Sequence, residues 1–184
     1  MRELSLNILD VAQNSIAAGA SLIEISVRED TVNHEMRIGV YDDGCGMTQE
    51  QAQRVLDPFY TTRTTRRVGM GIPLFKMAAE MTGGSLHIWS QRGIGTKLDA
   101  VFQTDSIDFT PLGDICSTMI ALITMNTDRD FIYRHSIDGN EFVLETMQLK
   151  EILGDIPLSE PDVAAWIKEF IEEQTQMIRG GKIE

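Results

Sequence analysis

Leu4, Ile8, Val11 and Ala12 recur at helical spacing, and no Gly or Pro interrupts them until Gly19. That pattern predicts a helix over residues 3–18. The period then shortens to two. LIEISVRE and MRIGVYD each alternate apolar and polar positions, and the polar EDTVNHE between them makes the pair a hairpin. TQEQAQRVL, residues 48–56, opens on a Thr N-cap with an acid and an amide in its first turn, so a short helix is expected. DPFYTTRTTRRVGMG mixes Pro, Gly and a Thr/Arg cluster and reads as a loop. PLFKMAAEMT is helical and stops at Gly83-Gly84. SLHIWS and TKLDAVF are two further strands joined by the turn QRGIG.

Residues 1–104 thus read helix, two strands, helix, loop, helix, two strands. Helices gathered on one face of a mixed, mostly antiparallel sheet give an α+β two-layer sandwich. After TDSIDFTPLGD the composition shifts, and residues 105–184 read as a small α+β C-terminal extension. Residues 112–126 are helical in pattern. FIYRHSI and EFVLETM flank Asp138-Gly139-Asn140, a hairpin signal. Leu149 to Leu153 suits a helical turn, and PDVAAWIKEFIEEQTQM forms a helix with Pro161 near its start. Its stripe of Trp166, Ile167, Phe170 and Ile171 is expected in the core. The tail MIRGGKIE is expected to fray.

Hydrophobic residues make up 42% of the 184 and charged ones 24%, ordinary for a soluble globular protein. No apolar run approaches a membrane span, and the N-terminus is no signal peptide. Cys45 and Cys116 have no metal-ligand spacing, which suits reduced thiols in a cytoplasmic protein. The formal charge of −12 is uneven: residues 1–104 carry 10 basic against 12 acidic side chains, and residues 105–184 carry 6 against 16. No basic surface is large enough for broad nucleic-acid binding. The acidic half is a solvated surface or a dock for a basic partner.

Three clusters carry candidate chemistry. In VYDDGCGM, strand alternation puts Met36, Ile38, Val40 and Asp42 on one side, so Asp42 faces the core edge while Asp43 faces the wetter side as a spectator. A carboxylate there needs a donor. The amino group of a flat heterocycle is one, and Gly44 and Gly46 would let the ring approach the backbone; a plain strand-to-loop turn is the alternative. On the first helix, Asn7, Asp10 and Asn14 form a polar stripe suited to a hydrated Mg²⁺ and nearby water, or simply a solvated face. In TTRTTRRVGMGIPLF, Arg63, Arg66 and Arg67 precede Gly69 and Gly71 at a helix start, an arrangement that attracts anions.

Taken in order, DVAQNSIAAGAS, DDGCGM, DPFYTT…VGMGIPLF and GIGT resemble the GHKL ATPases, a family that includes gyrase B, the ninety-kilodalton heat-shock chaperone, histidine kinases and MutL. The resemblance covers about residues 1–104 and implies their Bergerat ATP-binding fold. By it, Asn14 matches the asparagine that holds Mg²⁺ and Asp42 the aspartate that accepts from the adenine amino group. Gly44 and Gly46 match the first glycine box, Gly69 and Gly71 the second, and Thr96 the threonine near the adenine-site water. The segment between Phe59 and Gly69 corresponds to the ATP lid. Thr61, Thr62, Arg63, Arg66, Arg67 and Met70 are candidate nucleotide contacts there, as is Met47 beside the pocket. Met77 and Met81 are expected to pack around it.

Two departures bear on activity. Asp10 stands where the family usually has a Glu that orients water or the acceptor hydroxyl, so the candidate base is one methylene shorter. No phosphoacceptor hairpin precedes the first helix, and His34, His87 and His135 fall in a turn and two strands. The resemblance therefore implies a Mg-ATP-binding, stand-alone, kinase-like regulator that phosphorylates a separate protein, with Asp10 as base. The alternative is an ATP-dependent switch with little turnover. ATP hydrolysis coupled to DNA work ranks last, for want of a basic surface and a transducer domain.

Overall fold

A computed structural model describes residues 3–59 and 71–180. Six strands form one sheet: β1 (Leu22–Asp30), β2 (Glu35–Asp42), β3 (Ser85–Gln91), β4 (Gly95–Gln103), β5 (Asp130–Ile137) and β6 (Asn140–Glu145). Their spatial order is β3-β4-β2-β1-β5-β6. Every neighbouring pair is antiparallel except β1 and β5, so the sheet is mixed and mostly antiparallel, as expected. The helices are α1 (Leu4–Ala17), α2 (Gln49–Arg54), α3 (Gly71–Met81), α4 (Ile115–Met125), α5 (Thr146–Leu153) and α6 (Pro161–Ile178).

The core follows from strand alternation. Ile23, Ile25 and Val27 of β1, Met36, Ile38 and Val40 of β2, and Phe131 and Tyr133 of β5 are buried on one side. Leu4, Ile8 and Val11 of α1, Phe75 of α3 and Met119 of α4 complete the same cluster. The opposite side carries charge pairs, Arg134 with Glu24 and Glu141 and Lys97 with Asp99. On that side Gly39 has no room for a Cβ, because the Tyr41 hydroxyl would lie 2.5 Å away. That hydroxyl donates to Asp99 at 2.5 Å.

α1 is fixed at both ends. Its first residues have no side-chain cap, and instead the Leu4 and Ser5 amides donate to the Pro111 and Leu112 carbonyls. Two of the first turn's orphan donors are thus satisfied by the segment leading into the extension. At the other end Gly19 takes φ 75° and the Ala20 amide reaches back to the Ser15 carbonyl. This is the left-handed helix stop glycine favours.

The extension continues the sheet rather than standing apart. β5 pairs with β1 in parallel from Leu22↔Asp130 to Glu29↔Ile137, and α4 packs on α1. The β5–β6 turn has Asp138 and Gly139 both at positive φ, the conformation expected of Asp-Gly. The strand expected through Met147 stops at Glu145. There the buried Thr146 hydroxyl accepts the Phe131 amide and opens α5, so a side chain replaces the next ladder bond. The expected fraying needs correction over residues 177–180, the remaining four lying outside the described residues: α6 runs through Ile178, which is buried, and Arg179 lies 3.3 Å from Glu29. In the aromatic stripe, Ile167 and Ile171 are buried, whereas Trp166 is half exposed and stacks on Phe170. Met77 and Met81 are about half exposed on α3, so they do not pack as expected.

Candidate functional site

Between α1, α2, the start of α3 and the sheet lies a cavity of about 740 Å³. Its floor is apolar, with Val40, Ile88 and Leu98 from three strands, and Val11 and Ile72 come from α1 and α3. Asn14, Ser15, Asp42, Gln51, Arg92 and Thr96 supply polar groups. An apolar enclosure of this size with a few convergent polar groups suits a small-molecule ligand.

Asp42 is half-buried at the end of β2. The Ser15 hydroxyl donates to its Oδ2 at 2.5 Å, and the Gly44 amide donates to its Oδ1 at 3.0 Å. Two protein donors therefore fix the carboxylate's rotamer, and each oxygen keeps acceptor capacity for a ligand. Thr96 faces Asp42 across the β2–β4 ladder. Its hydroxyl lies 2.9 Å from that of Ser90, which accepts from the Met47 amide and donates to the Gly95 carbonyl.

The glycines meet close protein neighbours. A Cβ on Gly44 would lie 3.0 Å from that of Ala18, and one on Gly46, at φ 65°, 1.9 Å from the Gln91 carbonyl oxygen. Both glycines thus let the loop press onto α1 and the β3–β4 turn. Cys45 clasps both, donating its amide to Ala18 and accepting from Gly93. Gly95 is equally constrained, since its Cβ would meet the Asp42 carbonyl at 1.9 Å. Asp43 lies off the cavity, yet it is no spectator, because Oδ1 accepts the Ser21 and Leu22 amides and fixes the entry to β1.

Asn14 is exposed and lines the cavity one helical turn after Asp10. Asp10 is half-buried and outside the lining among the described residues. A Cβ on Gly71 would lie 2.9 Å from that of Asp10, so Gly71 lets α3 begin against this carboxylate. Asn7, grouped with them by spacing, is buried. Thr61, Thr62, Arg63, Arg66, Arg67, Gly69 and Met70 lie outside the described residues. Of the remaining expected contacts, the structure brings Asn14, Asp42, Gly46, Met47 and Thr96 to one cavity. Ser15, Ser90, Gly95 and Arg92 were not foreseen. Ser15 and Gly95 left a sequence signal, since they fall within DVAQNSIAAGAS and GIGT, whereas Ser90 and Arg92 lie outside every motif.

Comparison with known proteins agrees with this geometry. The model of the family described as histidine kinase-, DNA gyrase B- and HSP90-like ATPase matches residues 1–106. The sensor protein SrrB of Staphylococcus aureus is 34% identical over 101 residues, covering 52% of this chain and 17% of SrrB. The sensor-like histidine kinase SenX3 of Mycolicibacterium smegmatis is 28% identical over 94 residues, 48% of this chain and 24% of SenX3. The chain thus spans about a quarter or less of the length of these relatives. Among solved structures, the N-terminal domain of a DNA repair protein aligns with 80% of this chain and 53% of its own, at a TM-score of 0.59 and 15% identity. The Aquifex aeolicus MutL ATPase domain complexed with ADP aligns with 100% of this chain and 71% of its own, at a TM-score of 0.50 and 12% identity. These two likenesses show the fold. With the family model spanning more than half of the sequence, the chain belongs to the histidine kinase-, DNA gyrase B- and HSP90-like ATPases.

Proposed function

We propose that the chain binds Mg-ATP in the cavity between α1 and the sheet and transfers its terminal phosphoryl group to a separate protein. The observation that carries the nucleotide reading is Asp42, held by Ser15 and Gly44 at the edge of an apolar cavity. A purine's flat faces suit that floor, and its exocyclic amino group suits the carboxylate. The Asn14 amide oxygen is the described group that would hold Mg²⁺. Among the described residues no cluster of three or more His, Cys, Asp or Glu offers a protein-only cage. One amide oxygen with phosphates and water fits the habits of this ion. When bound, Mg²⁺ would neutralise phosphate charge.

For transfer, Asp10 is the candidate base. It would accept the acceptor hydroxyl's proton as the new oxygen–phosphorus bond forms, the β–γ bridge breaks and ADP leaves. Of the three histidines, His34 lies in a turn and His87 and His135 on strands, so none is offered as an internal acceptor. The similarity to sensor kinases supports the kinase-like reading. One observation favours a second reading, an ATP-dependent switch with little turnover: the Asp10 side chain packs against Gly71 outside the described cavity lining.

Calorimetry tests the nucleotide reading. Asp42→Asn should weaken ATP binding about 10- to 100-fold, the range of a lost hydrogen bond to a charged group, with circular dichroism unchanged; retained affinity rejects the assignment. Labelled ATP added to the protein with soluble cell proteins separates the two activities. One labelled partner, lost in Asp10→Ala, supports transfer, and neither transfer nor phosphate release supports the switch.

A further inference from the structure

Among the described residues, two charged side chains line the cavity, Asp42 and Arg92. Arg92 lies in the turn between β3 and β4, on the side of the cavity where the base-reading groups sit. A Cβ on Gly46 would lie 3.1 Å from the Arg92 amide nitrogen, and the next amide, Gly93, donates to the Cys45 carbonyl at 2.8 Å. Three residues on, Gly95 abuts the Asp42 carbonyl, and Thr96 faces Asp42 across the ladder. The backbone under Arg92 is therefore stapled to the loop that follows Asp42. Asn14 and Ile72 come to the cavity from α1 and the first turn of α3.

Among the described residues the Arg92 guanidinium has no hydrogen-bond or ion-pair partner, in a chain with 28 acidic side chains. It borders both the cavity and a smaller groove between α2 and β3, so it stands where the two adjoin. A planar cation there can cover the face or edge of a flat ring seated on Val40, Ile88 and Leu98. Guanidinium groups stack on π faces, a contact of about 0.5–2 kcal/mol that strengthens with exclusion of water.

We propose that Arg92 is a base-side contact of the bound nucleotide, its guanidinium closing the open flank of the purine whose amino edge Asp42 reads. The inference rests on the nucleotide reading above and adds a contact that none of the sequence motifs contains. It divides the labour at this end of the cavity. Asp42 discriminates between bases by accepting a hydrogen bond, whereas Arg92 adds affinity for any purine through its ring. Arg92 is accordingly a binding residue at the base and takes no part at the phosphates.

The test is calorimetric titration of the whole chain with ATP and with ADP, each at two salt concentrations, for the parent, Arg92→Ala and Arg92→Lys. Base contact predicts that Arg92→Ala weakens ATP and ADP by the same factor, about 3- to 30-fold, with the salt dependence unchanged. Arg92→Lys should fail to restore full affinity, because an ammonium lacks the plane. A loss larger for ATP than for ADP, together with a shallower salt dependence and rescue by Lys, would identify a phosphate contact and overturn the proposal. So would unchanged affinities. Circular dichroism and thermal melting on each variant exclude misfolding as the cause. If the parent itself binds neither nucleotide, the underlying nucleotide reading fails, a result that differs visibly from a parent that binds and a variant that does not lose affinity.

Discussion

Ser15 illustrates how one side chain sets the competence of another. It is buried, and its hydroxyl is one of the two protein donors that fix Asp42. Ser15→Ala should therefore lower ATP affinity about tenfold, the scale of a hydrogen bond to a charged group. Calorimetry beside a thermal melt will separate this from general destabilisation. The glycines give a sharper contrast. Gly46 and Gly93 both have positive φ, but a Cβ at Gly46 strikes the Gln91 carbonyl while one at Gly93 meets open space. Gly93→Ala should cost about 1 kcal/mol from backbone strain alone. Gly46→Ala should cost well over ~2 kcal/mol, because strain and a backbone clash add. Denaturant melts of the two variants will show the order, and equal losses would contradict this packing.

Elements are joined by polar contacts that spacing does not reveal. Glu29 of β1 meets His135 of β5 at 2.9 Å and Arg179 after α6 at 3.3 Å. An ionised Glu29 can only accept, so Nε2 of His135 carries a proton toward it, while Nδ1 lies 3.1 Å from the Tyr133 hydroxyl. Burial pushes the Glu29 pKa up, but the His135 hydrogen bond and the Arg179 charge outweigh it and leave the carboxyl below its ordinary 4.5. The sign follows from proton linkage. A carboxyl that binds its proton less tightly when folded stabilises the fold above about pH 4.5, and that contribution fades as pH falls through the lower folded value. Unfolding free energy measured from pH 6 downward should decline in this window, and Glu29→Gln should flatten the decline. A decline of the same steepness in the variant would assign it to other acids.

At the scale of the whole molecule, the nucleotide fold and the extension share one sheet. Residues 1–106 match the family, yet β1 is an interior strand because β5 pairs along it from Leu22 to Glu29. α4 packs on α1, the helix that carries Asp10, Asn14 and Ser15. A fragment ending at residue 104 would expose the β1 edge, remove α4 from α1 and leave the Leu4 and Ser5 amides without their acceptors. It should aggregate or melt without a cooperative transition, whereas the full chain melts as one unit. A fragment that is monomeric by size exclusion, and as cooperative as the whole, would make residues 105–184 an independent appendage.

Most of the elements were legible because their causes are local. Helical spacing marked α1, alternation marked the two hairpins, and Asp138-Gly139 fixed a turn whose positive φ angles those residues tolerate. The face of Asp42 followed from strand alternation alone, as did the burial of Met36, Ile38 and Val40. What stayed hidden depended on partners distant in the chain. Thr146 ends a strand by bonding Phe131, Ile178 is held by a core assembled from both halves, and Gly46 is required by a carbonyl 45 residues away. The same holds for the donors on Asp42 and the place of Arg92, because a turn's sequence states its bend but not what it bends against. Local sterics and periodicity fix which elements form. Only the pairing of β4 with β2 and β3, and the packing of α1 and α3 on those strands, decided which side chains would meet around the cavity.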